Sequence, residues 1–366
     1  MEENPTIKDW FDKGLAYFAG NDYEKALEAY EEAIKINPGI AEAWTNKGNA
    51  LDALGRREEA IQAYDESIKL NPNLIEPRLN KGITLSETGK YEEAIMTYDA
   101  AISIEPNDVD LRYNQGVAFH KLNRLVDACR VYDEALKIQP ENARVWNNKG
   151  VALHSLGQLD AAAKAYKEAT KINPTYARAW NNMGNVLNDS GKYEEALKAY
   201  DEAIKIDPKF IEAWHSKGIV LSELADFDEA IKAFEQAISI DRNNADLWND
   251  KGVALLRAGK QMEAFRTFVQ ATDIDPNHAE AWFNKGAILA GFGKHTDAVM
   301  AYEKVVKIDP NYAKAWYNLS LSYHTLRKHE DETRAYQESV RLDPQYEKAK
   351  PPTQKGYNVP GQDFRV

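Results

Sequence analysis

The sequence predicts an all-α solenoid of helix–turn–helix repeats, and three recurrences predict it. Proline falls on a 34-residue grid at Pro38, Pro72, Pro106, Pro140, Pro174, Pro208, Pro276, Pro310 and Pro344, interrupted only by Arg242. Glycine keeps the same step from Gly14 through Gly48, Gly82 and onward to Gly286, and Ser320 ends its column. All eight tryptophans share a third column, Trp10, Trp44, Trp146, Trp180, Trp214, Trp248, Trp282 and Trp316. A fixed period of this size, without insertions, marks a chain whose repeats bury their apolar faces on one another. Ten copies make a single array over residues 7–346, which leaves 347–366 as a short C-terminal tail.

One repeat shows why each element forms. In residues 43–72 Trp44, Gly48 and Leu51 recur at helical spacing beside Ala50 and Leu54, which predicts an amphipathic first helix. Gly55 supplies the left-handed residue that ends it; Gly89, Gly157, Gly191, Gly259 and Gly293 repeat the role, with Asn21 and Asn123 as substitutes. The second helix opens on Glu58 and Glu59 at the positive end of its dipole and closes near Lys69 at the negative end. Ala60, Tyr64 and Ser67 line one face of it, and Asn71-Pro72 stops it. Glycine inside a helix costs roughly 1 kcal/mol against alanine. The recurrence of Gly48 therefore needs a packing reason: with the small Ala60 column it brings the two helices close, Trp44 and Tyr64 filling the space on either side. The junction near Arg242 is the expected irregularity, because it lacks proline and the preceding turn carries Ala225.

The order Trp, Gly, Leu, Ala, Tyr, Ala, Pro resembles the tetratricopeptide repeat (TPR), over all ten copies. That resemblance implies a right-handed superhelical solenoid whose first helices line a concave groove and whose second helices form the convex back. It also implies a scaffold that binds partner segments. The pentatricopeptide family, which reads RNA, is excluded by both the period and the acidity.

A net charge of −12 and a pI near 5.2 argue against nucleic acid or an anionic membrane as the main partner, since both need basic faces. No apolar stretch is long enough to span a bilayer, residues 1–9 lack a signal-peptide pattern, and Cys129 is the lone cysteine. A cytoplasmic protein is expected.

On the arc opposite the core one column stands out: Asn46, Asn80, Asn114, Asn148 and Asn182 are unbroken, Ser216 and Asp250 interrupt, and Asn284 and Asn318 resume. Helix propensity does not favour seven mid-helix asparagines, whereas a primary amide both donates and accepts and so clasps peptide backbone without reading sequence. The column is similar to the asparagine ladder of the O-GlcNAc transferase superhelix, which holds extended peptide. The alternative is that gene duplication copied an innocuous residue. The carboxylate clamp of chaperone-binding repeats fits worse, because Thr45 and Asn181 stand where that pattern needs lysine. In the middle repeats Arg144, Arg178, Asn147, Asn181 and Asn185 make the face polar and locally basic, which suits a partly acidic extended segment. The plainer reading there is a hydrated surface.

Lys13, Lys47, Lys81, Lys149, Lys217, Lys251 and Lys285 precede the glycine column within the buried arc. Glu31, Asp65, Asp133, Asp201 and Glu235 stand one repeat upstream of the middle five, Lys167 is matched by Met183, and Lys285 remains although Val269 is upstream of it. Ion pairing between repeats, snorkelling and ligand binding are the three readings. No catalytic residue, metal site or cofactor is expected: the paired acids sit at helix starts where the dipole explains them, and no phosphate loop or nucleophile motif occurs.

The last repeat is degenerate at Ser320, Arg327 and Glu332, and the tail that follows carries Tyr357, Val359, Phe364 and Val366 as apolar anchors. A frayed end, self-association through that end, docking of the tail on a groove, or plain terminal disorder are all compatible with it. The function expected is a non-enzymatic scaffold that binds an extended partner segment. A self-associating structural solenoid and the scaffold arm of a multi-chain enzyme remain as alternatives.

Overall fold

The computed structural model describes residues 5–348, and the described residues are helical without any strand. Two compact units divide the chain, Met1–Lys192 and Tyr193–Val366. The first holds α1 (Ile7–Ala19), α2 (Tyr23–Ile36), α3 (Ala41–Ala53), α4 (Arg57–Leu70), α5 (Glu76–Glu87), α6 (Tyr91–Ile104), α7 (Val109–Lys121), α8 (Leu125–Ile138), α9 (Ala143–Ser155), α10 (Leu159–Ile172) and α11 (Ala177–Asp189). The second holds α12 (Tyr193–Ile206), α13 (Ile211–Glu223), α14 (Phe227–Ile240), α15 (Ala245–Arg257), α16 (Gln261–Ile274), α17 (Ala279–Gly291), α18 (His295–Ile308), α19 (Ala313–Thr325), α20 (His329–Leu342) and a 3₁₀ turn at Pro344–Lys348. Within each unit the first helix of a repeat packs on its own second helix, which packs on the first helix of the next repeat. The tail expectation, including its apolar anchors, lies outside the described residues.

The glycine column has a sharper cause than close approach to alanine. A Cβ on Gly48 would stand inside the ring of Tyr64, and the same overlap recurs for Gly14 on Tyr30, Gly82 on Tyr98, Gly116 on Tyr132 and Gly150 on Tyr166. In the second unit Gly218 faces Phe234, Gly252 faces Phe268 and Gly286 faces Tyr302. These rings are almost wholly buried. The helix-propensity cost of glycine is thus offset by an aromatic ring laid directly on backbone.

The tryptophans, expected as core, are half-buried instead. Their indole N–H groups are the reason for the column. Trp44 donates to the Pro38 carbonyl at 3.0 Å and Trp146 to that of Pro140 at 2.8 Å, and Trp180, Trp214, Trp282 and Trp316 repeat the bond six residues back. A carbonyl is available from any residue, so Trp248 makes the same bond to Arg242 at 3.0 Å. The expected irregularity at this junction is therefore absent, and α14 and α15 meet with the spacing of the other repeats. The turn before it is retained because Ala225 adopts a φ of 60°, as Asn21 does.

Two stability outcomes follow. Gly48→Ala improves helix propensity yet forces a methyl into the Tyr64 ring, and should cost about 1–3 kcal/mol by overpacking. Ala225→Gly relieves a left-handed alanine and should gain about 1 kcal/mol. Urea titrations followed by circular dichroism read both; a stabilised Gly48→Ala would show that the ring is not held on the glycine.

Candidate functional site

The candidate site is the face made by successive first helices. In the first unit α3, α5, α7, α9 and α11 each neighbour the next, and α13, α15, α17 and α19 do so in the second. Within its unit each first helix is therefore covered on several sides, by the second helices of its own and of the preceding repeat and by neighbouring first helices. A single-helix wheel assumes one buried arc, which is why it put Thr45, Asn147 and Asn181 on the open side. All three are buried. Thr45 spends its hydroxyl on Ser67 Oγ at 2.7 Å.

The asparagine column turns out to join repeats. Asn80 Nδ2 donates to Asn49 Oδ1 at 2.8 Å, Asn182 Nδ2 to Asn147 Oδ1 at 3.0 Å, and Asn148 Nδ2 to the Tyr113 hydroxyl at 3.0 Å. In the second unit Asn284 Nδ2 donates to Asn249 Oδ1 at 3.0 Å. Asn114 and Asn318 bond instead to carbonyls of their own helices, Asp110 and Lys314. Asn46 is half-buried and makes no hydrogen bond among the described residues. Two relays repeat with a fixed offset: Tyr113, Asn148, Asn147 and Asn182 in one unit, His215, Asp250, Asn249 and Asn284 in the other.

These bonds use only part of each amide. The carbonyl oxygens of Asn80, Asn114 and Asn182 accept nothing among the described residues, and all three side chains are half-exposed. Asn181 Oδ1 is buried without a hydrogen-bond partner. Arg144 and Arg178 are exposed, with the Arg144 guanidinium 4.5 Å from the centre of the Tyr113 ring, and Asn185 is half-buried.

A neighbouring column escaped the sequence reading. The positions equivalent to Asn49 hold Ile83, Val117 and Val151, all half-buried, and in the second unit Ile219 and Val253. β-Branched residues outside the core arc of a helix were the available signal, since propensity disfavours them there. On the far side of this strip stand Asp52, Ser86, His120 and His154. Burial raises the Asp52 carboxyl above its ordinary range, against a bond from the Thr84 hydroxyl at 3.1 Å. Burial, with Lys121 adding repulsion, lowers the His120 imidazole, whose Nε2 has no partner. His154 Nε2 meets Asp189 Oδ2 at 2.6 Å.

The lysines leave the ligand list. Lys47 meets Glu31 at 2.9 Å, Lys81 meets Asp65 at 2.5 Å, Lys149 meets Asp133 at 2.5 Å, Lys217 meets Asp201 at 2.6 Å and Lys251 meets Glu235 at 2.8 Å. Gln115 holds Asp99 at 2.6 Å in the same place. Where the column carries Leu319, the upstream Glu303 accepts from Tyr323 instead. Lys285 faces no such acid: it lies over the Trp282 ring at 4.2 Å, and burial pulls its ammonium below the usual lysine range while Asp273 acts in the other direction.

For Lys285 the penalty exists while the ammonium stays charged in the fold, and is relieved as pH rises through its lowered pKa. Lys285→Met should therefore raise the melting temperature at pH 7, with the advantage narrowing as pH climbs toward the ordinary lysine range. Lys81→Met should instead cost less than about 1 kcal/mol, the worth of a half-exposed pair. A melting temperature lowered by Lys285→Met would show that the cation is stabilised where it stands.

Among the described residues no helix is long and apolar enough to cross a membrane. Models described as tetratricopeptide repeat match residues 11–75, 63–96, 177–210, 211–244, 233–266 and 313–346. A further model, described as TPR repeat, matches 85–123, 118–157, 150–188 and 293–326. None of the curated proteins matches the chain. Among solved structures, YrrB, described as a TPR protein with an unusual peptide-binding site, is 26% identical, with 50% of this chain and 95% of that chain covered at a TM-score of 0.43. MamA is 20% identical, with coverages of 45% and 97% and a TM-score of 0.42. The Cut9–Hcn1 hetero-tetramer of the APC/C is 16% identical, with coverages of 92% and 74% and a TM-score of 0.48.

Proposed function

We propose, from the premise that this chain belongs to the tetratricopeptide repeat family, that it is a non-enzymatic interaction scaffold. Its first-helix face in the unit Met1–Lys192 binds an extended partner segment. The observation that carries this reading is the half-used amide ladder. One N–H of Asn80 and of Asn182 is fixed against the preceding repeat, and that of Asn114 against its own helix. Each amide is thereby oriented before any ligand arrives, while its carbonyl oxygen and second N–H remain to be satisfied. Successive first helices lie about 8–10 Å apart, close to three residues of extended chain. Such a segment offers backbone N–H and C=O groups to the ladder and lays apolar side chains along Ile83, Val117 and Val151. The paired acids at helix starts are no acid–base couple in this reading; Glu59, for example, is bound by Arg56 at 2.6 Å.

The ladder separates binding from stability. Asn114→Ala removes a bond within one helix and should leave the melting temperature almost unchanged, whereas Asn182→Ala breaks a bond between repeats and should cost about 1 kcal/mol. Both should weaken a fluorescent dodecapeptide selected by display against the wild-type protein, each by roughly fivefold to tenfold for about one lost hydrogen bond. Unchanged affinity in both variants would rule out the amide clasp.

A further inference from the structure

We infer that the partner segment is acidic, with carboxylates about three residues apart that seat on Arg144 and Arg178; this rests on the peptide-binding reading above. Both arginines stand in the first turn of a first helix, α9 and α11, at a position held by Glu76 and Asp110 in the repeats before and by Glu212 and Asp246 in those after. An acid there is favoured by the helix dipole by about 0.3–1 kcal/mol, and a base is disfavoured by a similar amount. Two consecutive reversals work against the fold. Neither guanidinium forms an ion pair among the described residues, in contrast to the lysines of the neighbouring column; Arg144 has Tyr113 and the more distant charge of Asp110.

Arg144 is held in place by Tyr113, whose ring centre lies 4.5 Å away and whose hydroxyl takes up part of the guanidinium, so the group is oriented while its remaining N–H donors can meet a carboxylate. One turn beyond Arg178, Asn181 is only 5% exposed and its Oδ1 has no partner. A buried amide oxygen needs a donor. Asn181 thus retains unsatisfied polar capacity one turn from the exposed Arg178 guanidinium, which takes the carboxylate itself. A dense polyanion fits less well than spaced carboxylates, because Asp110 lies close enough to act on Arg144. The spacing follows from polyproline II geometry, whose three residues per turn and 3.1 Å rise put every third side chain on one edge at about 9 Å. That repeat matches the separation of about 8–10 Å between adjacent first helices.

The test uses the full chain and three fluorescein-labelled probes in anisotropy titrations: Asp-Ser-Pro, Asn-Ser-Pro and Lys-Ser-Pro, each repeated four times. The aspartate probe should bind at least tenfold tighter than the asparagine probe at low salt, with the gap shrinking as salt rises. The double variant Arg144→Glu with Arg178→Glu should reverse the order in favour of the lysine probe. It should also keep or raise the melting temperature, because it restores the acids that the dipole prefers. Arg130→Glu, a reversal on the second helix α8, should leave the order of the probes unchanged and so control for net charge. Aspartate and asparagine probes that bind equally, both weakened by Asn114→Ala, would overturn the acidic preference and leave the groove standing. Probes that do not bind, or that ignore Asn114→Ala, would overturn both.

Discussion

A tyrosine or phenylalanine ring laid on a glycine sets the distance between the two helices of a repeat, because the ring occupies the volume where any side chain would stand. Everything outward of that contact inherits its geometry. The ring of Tyr64 is wholly buried, and the alanines around it, Ala60 and Ala63, close the remaining space without adding bulk. A helix pair fixed this way presents the same outer surface each time, and stacking can then proceed by a constant step. The last repeat shows the dependence by exception. Ser320 replaces the glycine there, and Tyr336 is only half-buried, with its hydroxyl turned to the carbonyls of Tyr346 and Glu347.

Between repeats the contacts are more polar and more forgiving. The lysine–carboxylate pairs are half-exposed, with lysine side chains between 17% and 24% accessible, so each is worth at most about 1 kcal/mol. Their value lies in direction: a hydrogen-bonded pair tolerates little slippage of one repeat along the next. That explains why the bond survives a change of partner. Gln115 keeps it without a charge, and Glu303 finds the Tyr323 hydroxyl when the lysine becomes Leu319. Met183, by contrast, stands where the upstream residue is Lys167 and no pair is possible.

Periodicity made much of this legible. The left-handed turns at Gly55 or Asn123 could be read without a structure, whereas for the lysines periodicity left pairing as one of three readings and the ion-pair distances decide it. The errors came from treating columns singly. A wheel drawn for one helix cannot know that Asn147 will meet the next repeat or that Thr45 will face Ser67 of its own second helix. The tryptophan and proline columns looked like independent packing features, although an indole N–H bonded to a backbone carbonyl links them. Because that acceptor is backbone, Arg242 could never have signalled a break. The half-used amides were invisible for a related reason: sequence shows an asparagine, but only coordinates show which of its atoms is already engaged.

Divergence between repeats is concentrated where the core imposes least. The relay through Tyr113, Asn148 and Asn147 and the relay through His215, Asp250 and Asn249 occupy the same positions of different repeats, yet their middle members have opposite polarity. Asn148 donates to a hydroxyl, whereas Asp250 can only accept while ionised and draws on His215 and Asn249. One substitution thus preserves the contact between repeats while it adds a negative charge to the face of the second unit, beside Asp246 and Glu280. The first unit carries Arg144 and Arg178 on the equivalent surface. The charge of the first-helix surface thus varies through a few side chains, while the glycine-seated rings recur beneath them.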